Sequence, residues 1–350
     1  MLILAGVTLF YVLGDNGIIK VAQDAKKQTE DAMKNEQQLL GELANQLKEE
    51  YGGDNGDNNQ GGNPDNPDKP VVDVPIENIK TNWEEIEKIA GEIAKDDSIT
   101  SDSEEATVIV DGNRYTIRPG DIFEVEYNGE SKRVRVLGFK HDDLVDQTVY
   151  GGIHEKASIS FEFLDFMTGE TYMAMNTTNT NENGWGATQM RKDLNGYTTS
   201  DASQSETIGG LGANLNNKSY IKQVKKAYIG TYNDANSVTT CNDYLWMLSC
   251  SEVWSKGSSA WRGATYGLAI AKEGDQYKWY KNNENGIDPS RDNSNFIKQL
   301  SSDSAPSRNY WWLRSPIFNT KYSFNIITSS GNVGQHDAIY TYGVAPGFCI

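Results

Sequence analysis

The chain has 350 residues, enough for one sizeable domain with appended segments, and it carries a formal net charge of −17 at neutral pH. So acidic a balance argues against nucleic acid as a partner, because phosphate groups need Lys and Arg. Three cysteines cannot form a dense disulfide framework, so the fold depends on a hydrophobic core. Cys241 and Cys250, nine residues apart, fit a local disulfide or two buried thiols equally well.

The N-terminal segment, residues 1–50, is predicted to be one hydrophobic and then amphipathic helix. Met1–Leu13 is nearly all apolar but shorter than the about 20 residues that span a bilayer. It is therefore predicted to be the second half of a longer hydrophobic helix, or a short helix inserted into a membrane surface. From residue 14 onward, apolar positions recur at three- and four-residue spacing. The small side chains of Ala22, Ala25 and Ala32 favour packing against another helix, with a lone stalk as the alternative.

Three stretches of this segment, Leu4–Thr8, Gly14–Ile18 and Ala22–Glu30, resemble the N-terminal helix of type IV pilin-like proteins of Gram-positive bacteria. The basic leader and cleavage site that precede the apolar run in that family are missing from this sequence. The resemblance implies an outward-facing protein held in the membrane by this helix, with helix–helix self-association as a further expectation. A buried amphipathic helix is the alternative.

Residues 51–74 are predicted to be a flexible linker, because 17 of the twenty residues from 51 to 70 are Gly, Asn, Asp or Pro. Residues 75–105 are strongly acidic and are predicted to contain a short amphipathic helix. One face of this helix carries the apolar residues Ile79, Trp83, Ile86, Ala90 and Ile93.

Two hairpins are predicted at the start of a domain over residues 106–350. Asp111-Gly112 separates the apolar runs 107–110 and 114–117, and Asn128-Gly129 separates 122–127 from 133–137. These dipeptides favour type I′ turns, which need positive φ at both central residues. Further short strands are predicted at residues 159–166, 171–175 and 324–328.

Four motifs follow one another in this domain, and together they resemble the family called domain of unknown function 6273, common in surface proteins of gut-type bacteria. They are Gly184–Asn195, Asp243–Val253, Tyr310–Pro316 and Gly343–Phe348, and the resemblance covers about residues 105–350. Sequences of that family end in Gly-Val-Arg-Pro, and this sequence departs from that ending because Ala345 replaces the Arg. The Trp-x-Arg-Ser core is also similar to C-type-lectin-like domains of formylglycine-generating enzymes and of hypervariable receptors made by diversity-generating retroelements.

These resemblances imply an α+β fold: a long N-terminal helix, a disordered linker, then a C-type-lectin-like mixed domain with short strands and long loops. Trp312, Leu313 and Phe348 are expected in the core, and Arg314 is expected to be buried and to satisfy backbone carbonyls. The residues predicted as the structural signature are Trp311, Trp312, Arg314, Pro316, Gly343 and Pro346.

No motif for catalysis, metal binding or cofactor binding is recognised in the sequence. It contains no His-Glu-x-x-His, no phosphate-binding Gly-rich loop ending in Lys and no nucleophile elbow. His141, His154 and His336 are isolated, and Cys349 alone lies near the end, which disfavours oxidase chemistry. We therefore expect no enzyme activity, no metal and no cofactor, with a hydrolase based on two convergent carboxylates as the alternative.

Two loop-like segments, 318–322 and 335–342, mix Tyr with Asn, Thr, His and Asp, a composition typical of adaptable binding loops. An ordinary polar loop is the alternative. The predicted ligand-binding residues are Phe318, Asn319, Tyr322, Asn325, His336, Asp337, Tyr340 and Tyr342.

The sequence as a whole predicts a bacterial cell-surface protein, membrane-anchored through its N-terminal helix, with an extracellular C-terminal domain. That domain is expected to bind a protein or glycan ligand or to mediate adhesion, as a diversified receptor in one form of this hypothesis. The alternatives are a minor pilin-like subunit of a surface filament or secretion system, and a surface enzyme.

Overall fold

The computed structural model describes residues 70–198, 207–231, 233–234, 236–255, 270–284, 292–300 and 308–350. The predicted helix over residues 1–50 and the predicted linker up to residue 69 lie outside these residues. The described part is mostly β-structure in several small sheets, with few helices. The expected α+β class is therefore wrong. The apolar residues of the described part lie in short runs between Gly and Asn turns, a pattern that favours strands over helices.

The described helices are short, apart from one near the start. They are α1 (Trp83–Lys95), α2 (Gly184–Ala187), α3 (Gln189–Asn195), α4 (Cys250–Val253) and α5 (Lys278–Asn283), with 3₁₀ turns at Ile76–Asn78, Gly210–Asn214 and Ser294–Phe296. Within the described ranges, none of these helices has the length and apolar character needed to cross a bilayer.

The predicted amphipathic helix is confirmed as α1. The side chain of Asn82 accepts the N–H of Glu85 and so satisfies one of the amide groups at the helix start. All five residues of the predicted apolar face are buried, but Ile79 precedes α1, at the end of the 3₁₀ turn Ile76–Asn78, so four of them lie in the helix.

The strands form small sheets that are mostly antiparallel. They are β1 (Val72–Asp73), β2 (Ala106–Val110), β3 (Asn113–Ile117), β4 (Ile122–Tyr127), β5 (Glu130–Phe139), β6 (Asp143–Leu144), β7 (Ile159–Phe163), β8 (Val224–Ile229), β9 (Val238–Asp243), β10 (Lys298–Gln299), β11 (Arg308–Asn309), β12 (Trp311–Pro316), β13 (Ser323–Ile327), β14 (Val333–Asp337) and β15 (Gly347–Cys349). The sheet orders are β1-β3-β2, β15-β7-β5-β4, β6-β8-β9, β12-β13-β14 and β10-β11.

Both predicted hairpins are confirmed, as β2–β3 and β4–β5. The φ angles are 51° and 83° at Asp111 and Gly112, and 51° and 81° at Asn128 and Gly129. Positive φ at both central residues gives the type I′ turn, whose twist matches that of the flanking strands.

The last strand of the chain closes the hydrophobic core. In the β15-β7-β5-β4 sheet, Phe348 lies opposite Phe161, and their rings stack with centroids 5.2 Å apart. Trp83 of α1 packs on both rings, at 5.5 Å from Phe161 and 5.9 Å from Phe348. The acidic helix and the C-terminal strand therefore share one core.

The other predicted strands have mixed outcomes. The strand predicted at 159–166 is observed as β7, and the one predicted at 324–328 is observed one residue earlier as β13. The strand predicted at 171–175 is wrong. This segment makes only a single bridge, between Met173 and Tyr342, so there is no ladder of backbone hydrogen bonds to sustain a strand.

Candidate functional site

A cluster of rings lies where β12 and β14 meet the segment that follows β14. The His336 ring lies 5.3 Å from that of Tyr340, 5.1 Å from that of Tyr342 and 5.9 Å from that of Tyr310. Trp312 supports the cluster from below, with its ring centroid 5.1 Å from that of Tyr342. These separations fall in the range of favourable aromatic pairs.

The outer members of the cluster face solvent. Tyr340 is 51% exposed and its neighbour Ile339 is 47% exposed, while His336 and Tyr342 are half-buried. Tyr322, 43% exposed, is tied to this segment through its backbone, since its carbonyl oxygen accepts the N–H of Ala338. We call Tyr310, Tyr322, His336, Ile339, Tyr340 and Tyr342 the aromatic face.

Backbone pairing holds this face in place. Phe324 of β13 lies directly opposite His336 of β14, and Met173 and Tyr342 exchange two backbone hydrogen bonds of 2.9 and 3.1 Å. The indole N–H of Trp312 also donates to the carbonyl oxygen of Met173. Burial raises the pKa of Tyr342 to about 12, with Tyr310 and Tyr340 adding to the shift, so its hydroxyl stays protonated near neutral pH.

Four of the predicted binding residues belong to the aromatic face, namely Tyr322, His336, Tyr340 and Tyr342. Asn319 is exposed in a turn with a φ of 57°, and Phe318 is half-buried against the core. Asp337 is half-buried, and its carboxylate accepts the Ser323 hydroxyl at 2.9 Å and the Asn179 amide at 3.1 Å. That carboxylate therefore also ties together the segments around the face.

Asn325 was predicted to be an exposed binding residue, and this prediction is wrong. Its side chain is 1% exposed, and its amide donates to the carbonyl oxygen of Ser315 at 3.0 Å. It lies inside β13, where successive side chains point to opposite faces of the strand.

All six signature residues are buried in the structure: Trp311, Trp312, Arg314, Pro316, Gly343 and Pro346. Gly343 is required by packing, because a Cβ atom there would lie 2.1 Å from the ring of Phe166. The guanidinium of Arg314 donates to the carbonyl oxygens of Ala227, Met247 and Glu273, as predicted for a structural arginine.

Arg314 is also the centre of a buried charge cluster that no local sequence pattern indicates. Its guanidinium makes two hydrogen bonds to Glu252, of 2.5 and 2.9 Å. Lys226 then bridges Glu252 at 2.5 Å and Asp142 at 2.6 Å. Tyr277 completes the cluster through its hydroxyl, which donates to Asp142 at 2.9 Å.

The charges in this cluster keep its carboxylates ionised. Burial alone would raise the pKa of Glu252, but the charges of Arg314 and Lys226 outweigh it and hold that pKa below its usual range. Asp142 behaves alike: burial opposes ionisation, and Lys226 and His141 bring its pKa well below the ordinary value. The side chains of the cluster are closed to solvent, and each ionised group faces a partner of opposite charge, so removing one partner would leave an uncompensated buried charge.

Glu273 is the exception in this region. Burial raises its pKa to about 7, although Arg314, the Ser315 hydroxyl and the N–H of Ile229 all favour the charged form. The negative charge of Glu252 raises the pKa of Glu273 further. Glu273 is therefore the buried carboxyl of this region that changes charge near neutral pH.

A second buried charge group lies under β5 and β7. Glu162 accepts hydrogen bonds from Arg135, from Lys298 at 2.6 Å and from the hydroxyl of Tyr280 at 2.9 Å. Burial lowers the pKa of Lys298 to about 8, and the attraction of Glu162 only partly opposes this. The guanidinium of Arg135 stacks on Trp279, 3.2 Å from the ring centroid.

The remaining titratable groups that the structure describes do not assemble into a metal site. Across the described ranges, no three His, Cys, Asp or Glu side chains converge in a way that could hold a metal ion. The three cysteines are buried thiols rather than a disulfide, which decides between the two alternatives left open for Cys241 and Cys250.

Sequence reasoning missed Tyr310 and Ile339 as members of the aromatic face. Ile339 stands alone among polar residues in 335–342, and only its exposure marks it. Tyr310 precedes the Trp-Trp pair and resembles a core aromatic, yet its ring packs on His336. The high aromatic content of residues 305–350 was a signal that could have found Tyr310, but no sequence signal marks Ile339.

Residues 166–350 match the family described as Domain of unknown function (DUF6273), which is more than half of the chain. The chain belongs to this family. Within it lie the aromatic face and, except for Asp142, the buried charge cluster, whereas α1 and both N-terminal hairpins precede the matched residues. No curated protein and no solved structure matches the chain, so the pilin-like and lectin-like resemblances gain no support from these comparisons.

Proposed function

We propose that this protein binds an extracellular protein or glycan through the aromatic face. The observation that carries the proposal is the concentration of exposed apolar side chains. Among the described residues, six large hydrophobic side chains are exposed, and three of them, Tyr322, Ile339 and Tyr340, belong to this face. Contiguous exposed apolar surface is costly in water and typically marks an interaction site.

The chemistry of the face supports binding. Tyr is enriched at interaction hot spots because it offers a large ring and a hydroxyl at a low cost in side-chain entropy. Here the rings also pack on one another and on Trp312, so little conformational freedom remains to be lost on binding.

The local charge fits a partner that is not strongly basic. Near the face, Lys321 is exposed and Asp337 is half-buried, so their charges offset each other, whereas Arg314 is buried and paired with Glu252. The whole chain, by contrast, has a net charge of −17. A neutral glycan or the apolar patch of a protein could approach this face without meeting the acidic field of the rest of the molecule.

We favour binding over catalysis because of the state of the buried carboxylates. Asp142, Glu162 and Glu252 are each held by Lys or Arg side chains and are closed to solvent. A catalytic carboxylate has to reach its substrate, and none of these three can do so without a rearrangement of the core.

The proposed setting is the bacterial cell surface, with the protein anchored by its N-terminal segment. This part of the proposal depends on the apolar run Met1–Leu13 and on the pilin-like resemblance, which both lie outside the described residues. The minor pilin-like subunit remains the second hypothesis. Deleting residues 1–17 and fractionating cells tests the anchor: equal levels of both proteins in the soluble fraction would refute it.

The binding proposal is tested with the double variant Tyr322→Ser/Tyr340→Ser. The full-length protein and the variant are applied to a glycan array and to a layer of cultured epithelial cells. We expect at least a tenfold loss of binding with no loss of folding, because both side chains are exposed. The matched control is Ile122→Ser/Ile153→Ser, which removes two exposed apolar side chains elsewhere. Equal binding by the two double variants would contradict the proposal.

A further inference from the structure

The edge of the β1-β3-β2 sheet carries an unused row of backbone groups. β3 is the central strand, so among the described residues β2 is an edge strand that pairs with β3 alone. In the β2–β3 hairpin, Val110 lies opposite Asn113 beside a two-residue turn, which makes it a hydrogen-bonded pair. The N–H and C=O groups of Val108 therefore also point to β3, whereas those of Thr107 and Ile109 point away from it.

The hydrogen bonds on the other side of β3 confirm this alternation of inward and outward backbone groups. The carbonyl oxygens of Gly112 and Arg114 accept the N–H groups of Val72 and Val74 of the β1 segment. Arg114 lies opposite Ile109, and the backbone groups of both residues point out of the hairpin. Those of Arg114 point to β1, so those of Ile109 point to the free side of β2. On the β2 side, no described residue takes that place.

This edge lacks the devices that usually protect one. Natural sheets block their edges with Lys, Pro, bulges or very short strands. β2 reads Ala-Thr-Val-Ile-Val, contains none of these residues and pairs with β3 over all five positions without a register shift. Such an uncharged β-branched strand is a template for another strand.

Beside this edge runs an open groove of about 800 Å³ between β2 and α1. On the helix side it is lined by Lys88, Gly91, Glu92 and Lys95. A Cβ atom placed on Gly91 would have no neighbour within 4 Å, so the helix leaves open space where an added strand would lie.

We propose that a second copy of this chain occupies this edge, with the two β2 strands antiparallel about a two-fold axis at Val108. Thr107 then lies opposite the partner's Ile109, and Ile109 opposite the partner's Thr107. Both are hydrogen-bonded pairs, so the four outward groups of each copy find partners in one continuous six-stranded sheet. The two α1 helices lie on the same side of that sheet, next to each other.

The pairing geometry fits a second copy as the occupant, because the outward groups of Thr107 and Ile109 lie symmetrically about Val108, and the local charge does not oppose it. Two molecules with a net charge of −17 repel each other over most of their surfaces. The groove is locally neutral, because its three cationic and three anionic lining residues balance: Lys88, Lys95, Arg114, Glu92, Asp96 and Asp111. The strand itself is uncharged, so this is a region where two such acidic chains can approach.

The test compares two substitutions at one position in the full chain. Ile109→Pro removes an N–H that β3 does not use, so the hairpin stays intact while the edge is blocked. Ile109→Ala removes a similar apolar side chain but keeps the N–H. Sedimentation equilibrium should show a dimer for the parent and for Ile109→Ala, and at least a tenfold weaker dimer for Ile109→Pro.

A second arm uses disulfide trapping and does not depend on the proline variant. Cα atoms of a hydrogen-bonded antiparallel pair lie about 5.5 Å apart, within reach of a disulfide. Mild oxidation of Thr107→Cys/Ile109→Cys should cross-link two copies, whereas the control Arg114→Cys/Thr116→Cys on the central strand should not. The native thiols are buried and do not interfere.

Failure of either arm overturns the proposal, as does a parent protein that is monomeric at tens of micromolar. If Ile109→Pro melts far below Ile109→Ala, the cross-linking arm alone decides. The glycan-array and cell-binding assays test the aromatic face separately. If only the edge pairing is wrong, the results of those assays do not change.

Discussion

Two regions supported by β12 handle aromatic and polar side chains in opposite ways. Around Arg314, the side chains are fully buried, and every charge has a partner of opposite sign. Around His336, the rings touch one another but are partly open to water, and hydrogen bonds tie down mainly the backbone. Substitutions in the first region are therefore expected to cost much unfolding free energy. Substitutions in the second region are expected to cost little.

This difference determines where substitutions can be tolerated. A buried ion pair contributes little net stability against an apolar pair of similar size, but removing one partner strands an uncompensated charge. An exposed ring contributes little to the stability of the fold, so another side chain that contacts a ligand can replace it. Substitutions of exposed residues on the aromatic face therefore cost little stability, whereas the charge cluster has to be kept or replaced as a unit.

The largest effect is expected from Arg314→Met. The variant keeps most of the side-chain volume but removes one of the two cations that contact Glu252, and it removes a donor from the carbonyl oxygens of Ala227, Met247 and Glu273. Breaking a buried pair in this way costs about 3–5 kcal/mol of unfolding free energy. Urea unfolding monitored by tryptophan fluorescence measures it.

The control for Arg314→Met is Lys321→Met, which removes a cation from an exposed position beside the aromatic face. It should change the unfolding free energy by less than about 0.5 kcal/mol. Similar losses in the two variants would mean that the contrast between the two regions is not one of burial.

A smaller effect, which depends on pH, is expected from Glu273. Its pKa is about 7 in the folded state, above the ordinary 4.5 that applies when the chain is unfolded. The folded state therefore holds one more proton between these values, and its stability falls as pH rises from about 4.5 through 7. The loss amounts to about 3 kcal/mol, at about 1.4 kcal/mol per pKa unit.

Glu273→Gln stays neutral at every pH and should flatten this part of the stability curve. Thermal unfolding of the parent and the variant at pH 5 and pH 8 gives the comparison, with the exposed Glu126→Gln as the control. A parent that is no less stable relative to Glu273→Gln at pH 8 than at pH 5 would show that Glu273 is ionised throughout.

The parts of the fold that local chemistry determines could be predicted from the sequence. Asp111-Gly112 and Asn128-Gly129 fix their turns through the backbone alone, and the apolar spacing of α1 needs no distant partner. The α+β class was wrong because it came from resemblance and from residues 1–50, rather than from the short apolar runs of the described domain.

The parts that long-range contacts determine could not be predicted. Arg314 meets Glu252 across 62 residues, and Lys226 meets Asp142 across 84, and nothing in the local sequence shows these pairings. Asn325 was misplaced for a related reason, since composition alone does not show which residues of a short strand face inward. The aromatic face was found in part, because aromatic density is visible without any pairing.

The smallest expected effect is on the stability of the aromatic face itself, and it is the sharpest test of the contrast. Tyr322→Ser and Tyr340→Ser remove side chains that are 43% and 51% exposed, so each should change the unfolding free energy by no more than about 0.5 kcal/mol. Trp312→Ala, which removes the buried ring beneath the cluster, should cost about 3–5 kcal/mol by comparison. Urea unfolding of the three variants places them on one scale. A tyrosine variant that loses as much as Trp312→Ala would show that the face belongs to the core, and its exposed rings would then be poor candidates for binding.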